Sequence, residues 1–92
     1  MPGKGIRNYK AIAVDVAEGF VTVNPLFLKS FDEEGIKSLF IAIERKQSEI
    51  RAEPFPHHDV LLIRKRNLRL QRLYSSLTII KTFARERRMP LV

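Results

Sequence analysis

From Asp59 to Arg88 the chain holds neither glycine nor proline, and this uninterrupted stretch constrains the fold more than any other feature. Just ahead of it stands Glu53-Pro54-Phe55-Pro56, where each proline disfavours helical backbone in the preceding residue and blocks continuation of a helix. Asp59 suits an N-cap and Pro90 a stop, so the pattern predicts one helix of about 45 Å between them. On a helical wheel Leu62, Ile63, Leu70, Leu73, Tyr74, Leu77, Ile80 and Ala84 share an arc interrupted by Arg66 and Lys81, while Leu61, Leu68 and Ile79 fall nearly opposite. A helix apolar on two sides is either sandwiched in a core or shared with a second chain. In a chain of 92 residues a second subunit is the more natural source of the other surface, so Leu61, Leu68 and Ile79 are expected to mediate self-association. Val60 to Ile63 and Leu77 to Phe83 are also rich in β-branched and aromatic residues. A β-β-α-β-α order with a strand at about 59–65, or a β-β-α-β-β order, is therefore the competing reading.

Upstream, Ile12, Val14 and Val16 alternate with Ala13, Asp15 and Ala17, and after Glu18-Gly19 the valines Val21 and Val23 alternate with Thr22 and Asn24. This is a hairpin pattern, with Gly19 supplying the positive φ of a tight turn and Asn24-Pro25 closing the ladder. A helix is expected to start at about Phe31 to Glu33, on a capping box of Ser30 with Glu33 or on an Asp32 cap stapled by Phe31 and Ile36. Ile36, Leu39, Phe40, Ile43 and Ile50 mark its inner face. The expected class is thus α+β: an N-terminal β-hairpin followed by two helices, the second long and basic. Residues 9–92 form one small domain behind a flexible basic tail, 1–8.

Charge bears most on function. Residues 1–59 carry eight Lys or Arg against nine Asp or Glu, and residues 60–92 carry nine against Glu86 alone. An asymmetry of this size points to an acidic partner. On the long helix Lys65, Arg69, Arg72 and Ser76 follow at i, i+4, i+7 and i+11, Arg87 continues the ridge, and Arg64 and Arg66 flank it. Such a ridge can track phosphates; it can equally be a solvated face whose long stems cover apolar surface. Tyr74 is assigned to the core, while Tyr9 and Phe83 are open as stacking groups.

Other chemistries find little footing. The chain has no cysteine and two histidines, and His57-His58-Asp59 reads as a polar linker whose aspartate caps a helix, not as a metal site. Neither a nucleophile motif nor a glycine-rich phosphate loop is present, so no cofactor is expected and an enzyme is disfavoured. The longest apolar run, Leu39 to Ile43, is far short of the ~20 residues of a membrane span, and a cytoplasmic, soluble protein is expected. The sequence thus favours a non-enzymatic module binding DNA or RNA, without sequence preference, through Lys65, Arg69, Arg72, Arg64, Arg66 and Arg87. The alternative is an adaptor whose helix docks on an acidic protein partner. A third option is an anionic membrane surface, against which the lack of tryptophan counts.

Overall fold

A computed structural model describes residues 8–91. Among them are four helices and no strand: α1, Tyr9–Glu18; α2, Pro25–Leu28; α3, Glu33–Ala52; and α4, Val60–Glu86. The α+β class is therefore corrected to all-helical, and the strands considered at 59–65 and 77–83 are both parts of α4. Of the expected tail only Asn8 is described, and it belongs to the domain: its side chain accepts a hydrogen bond of 3.0 Å from the Ala11 N–H and so caps α1. Residues 1–7 lie outside the described part.

The expected hairpin fails for a reason visible in its alanines. Counted as off-face residues of a strand, Ala13 and Ala17 leave a tidy alternation of valines; in the fold these two alanines and Val16 are the buried residues of α1. Their spacing of i, i+3 and i+4 is helical, and small side chains let the helix approach its neighbours closely. Gly19 does have a positive φ, 87°, but it ends a helix instead of turning a hairpin. The Phe20 N–H bonds the Asp15 carbonyl at 2.8 Å and the Gly19 N–H bonds Val16 at 3.1 Å, the paired bonds of a Schellman stop. Likewise Asn24-Pro25 opens a helix instead of closing a ladder, since the Asn24 side chain accepts from the Phe27 N–H at 2.8 Å and Pro25 takes the first helical position, where its missing N–H costs nothing.

The two later helices lie where the caps and prolines place them. Asp32 caps α3 through the Gly35 N–H at 2.7 Å, and Asp59 caps α4 through the Leu62 N–H at 3.1 Å. The helices α1, α3 and α4 each pack on the other two, and α2 packs on α4. Between them lies one core of Val16, Val23, Leu28, Ile36, Leu39, Ile43, Ile50, Leu73, Ile80 and Phe83, among others. The core does not reach the whole of α4: none of its residues before Leu73 is fully buried.

Candidate nucleic-acid interface

The buried side of α4 is Leu73, Ser76, Leu77, Ile80, Phe83 and Ala84. This stripe is rotated from the expected arc toward Ser76 and Phe83, because Phe83 turns inward to 4% exposure while Tyr74 turns out to 65%. The assignment of Tyr74 to the core is thereby corrected. The rotation carries the expected basic ridge toward the protein interior.

Arg72 lies half-buried against α1, with Nη1 donating 3.0 Å to the Ala17 carbonyl. It satisfies one of the carbonyls that a helix C-terminus leaves without a partner and brings a positive charge to the negative end of the dipole. Arg69, 17% exposed, stands between two carboxylates, 3.4 Å from Glu18 and 3.7 Å from Glu53. These two arginines bind α1 and the 53–59 loop to α4. Arg66 is half-buried with its guanidinium 5.3 Å from the Phe55 ring centroid, and its Nε makes no hydrogen bond among the described residues. Arg87 stacks at 3.8 Å on the Phe83 ring with its own side chain exposed. Lys65 and Arg64 are exposed. Of the expected self-association set, Leu61 and Leu68 are 73% and 42% exposed, whereas Ile79 packs against the core beside Val21 and Val23.

Opposite the buried stripe, at intervals of three and four residues, come Arg64, Asn67, Gln71, Ser75, Thr78, Thr82 and Arg85. All are exposed except the half-buried Thr82. None of these seven is acidic or apolar, and the exposed Leu68 and Glu86 run along one edge: two arginines about 32 Å apart bracket five neutral side chains that donate or accept hydrogen bonds. Thr78 spends its hydroxyl on the Tyr74 carbonyl at 3.2 Å; Tyr74 itself stands on the flank, available for stacking. The sequence signal for this stripe was present in the helical spacing, but attention to charge alone passed over its neutral members. Of the nine Lys and Arg residues in 60–92, Arg69 alone is in an ion pair among the described residues. Also among the described residues, no group of three His, Cys, Asp or Glu side chains converges on a metal-sized site. An open groove of about 580 Å³ between α1 and α3, lined by Tyr9, Lys10, Arg45 and Lys46, gathers cations around the single carboxylate of Glu49.

Comparison with protein-family models, with curated proteins and with solved structures gives no match to this chain.

Proposed function

We propose that this protein is a non-enzymatic nucleic-acid-binding module that lays the outer face of α4 along a DNA duplex, in a cytoplasmic setting. The observation that carries this reading is the stripe from Arg64 to Arg85, which joins cations to neutral hydrogen-bonding groups with no acid among its seven members. Arginines at its ends suit phosphates, and Asn67 and Gln71 are residue types that pair with the adenine edge. The major groove of B-DNA, about 12 Å wide, admits a helix, whereas the deep, narrow major groove of A-form RNA does not. Ser75, Thr82 and the flanking Lys81 and Arg88 add contacts that any sequence can satisfy. The ridge expected from charge spacing is thus replaced by its neighbour, with Arg69 and Arg72 serving the fold.

The test is a titration of duplex DNA at several salt concentrations. Arg64→Gln with Arg85→Gln is expected to weaken binding to every sequence and to flatten the slope of log K against log salt by about two, near 0.9 for each phosphate released. Asn67→Ala is expected to change preference among sequences with little change of slope. An unchanged slope in the arginine double variant would refute the assignment of this face, and capture of an acidic protein with no DNA binding would favour the adaptor instead.

A further inference from the structure

The first turn of α4 exposes apolar side chains around most of its circumference. Val60, Leu61, Leu62 and Ile63 are consecutive, so at about 100° per residue they point in four directions around the axis. Val60, Leu61 and Leu62 are 67%, 73% and 51% exposed, and Ile63 is half-buried. The following turn repeats the arrangement with cations: Arg64 and Lys65 are exposed, and Arg66 lies over Phe55, itself 43% exposed. A partner helix or a groove covers one side of a helix, whereas exposed apolar side chains spread over about 200° of the circumference, as Val60, Leu61 and Leu62 are, suit a medium that surrounds the tip.

We propose that this tip inserts end-on into the interface of an anionic lipid bilayer. Val60, Leu61, Leu62 and Phe55 enter the boundary between headgroups and acyl chains, and Arg64 and Lys65 meet the lipid phosphates. The axial rise from Leu61 to Lys65 is about 6 Å, within the ~5–10 Å to which interfacial segments bury their apolar side. Charge favours this occupant. Arg64, Lys65 and Arg66 make no ion pair among the described residues, Glu53 is engaged by Arg69 at 3.7 Å, and Asp59 is the remaining carboxylate of the tip. Asp59 already takes the Leu62 N–H, so the attraction comes from the side-chain cations and not from the helix end. A second copy meeting tip to tip would bring like charges together. No helix among the described residues is long and apolar enough to cross a membrane, which makes the contact peripheral. The anchor goes beyond the DNA reading, sharing only Arg64 with that face.

The chain contains no tryptophan, so Leu61→Trp in this chain places a single reporter at the tip. The protein is expected to sediment with vesicles of mixed phosphatidylcholine and phosphatidylserine but not with phosphatidylcholine alone, and the reporter's emission to shift to the blue on the mixed vesicles. Leu61→Ser with Leu62→Ser should lower the partition coefficient by about tenfold per leucine, and Arg64→Gln with Lys65→Gln by about fivefold per cation. The serine pair should melt as the parent does and keep its affinity for DNA, which separates this inference from the DNA reading. The anchor is refuted by a failure to sediment with the mixed vesicles, by undiminished binding of the serine pair, or by an unshifted emission; a protein socket as the true occupant produces the first of these.

Discussion

Arg72 and Gly19 form the most consequential pair of residues in the fold. A β-carbon built on Gly19 would lie 2.9 Å from Cζ of Arg72, and the glycine backbone has φ 87°. The guanidinium is the far end of a flexible chain and can shift, but the left-handed backbone cannot be relieved so easily. Gly19→Ala is expected to cost about 1–2 kcal/mol from the backbone alone. Arg72→Gln should cost about 1–2 kcal/mol by removing a charged donor from the Ala17 carbonyl. Because both changes disturb the same guanidinium, the double variant should lose less than the sum of the two in urea denaturation; strict additivity would show that the added methyl leaves the guanidinium undisturbed. By contrast, Arg69→Gln should cost no more than about 1 kcal/mol, since its carboxylate partners are partly exposed and screened. None of these roles was legible from the spacing of charges, because an arginine facing a carbonyl 55 positions away in sequence looks the same as one facing solvent.

At the scale of elements, α4 is one helix with two environments. Its second half lies in the core, while its first thirteen residues have no fully buried member. In native-state hydrogen exchange the amides of Arg64 to Leu70 are expected to exchange faster than those of Leu73 to Ala84; equal protection along α4 would contradict this division. Leu68→Glu should alter stability by less than about 0.5 kcal/mol, whereas Ile79→Glu should destabilise by more than about 1 kcal/mol because it drives a carboxylate against Val21 and Val23. Helices α3 and α4 were readable from the sequence because their ends carry strong local chemistry: Asp32, Asp59, and the prolines at 54 and 56. Helix α1 was not, since alternating valines separated by alanines satisfy both a period of two and a helical face, and only the packing of Ala13 and Ala17 decides between them. The outer face of α4 was half legible. Its arginines were noticed singly, but the direction of the core, on which the face depends, was set by Phe83 and Tyr74 exchanging places relative to expectation.

For the molecule as a whole, the principal extents are 46 × 29 × 22 Å, and a helix of 27 residues, about 40 Å long, accounts for the long axis. The cations of the last third therefore spread along a rod, with Glu86 as the one acid among them. Their mutual repulsion acts in the folded state and is relieved by salt, so the melting temperature is expected to rise by about 4 °C between low and moderate sodium chloride. A fall would mean that the pairs of Arg69 with Glu18 and Glu53 outweigh that repulsion. The hold of Arg72 on the end of α1 also bears on biosynthesis. A ribosome adds about 5–20 residues each second, so the 53 positions from Gly19 to Arg72 take about 3–10 s to translate. Throughout that interval the first helix has been made but its clasp has not, and the nascent protein must wait for its own last third before its beginning can be locked.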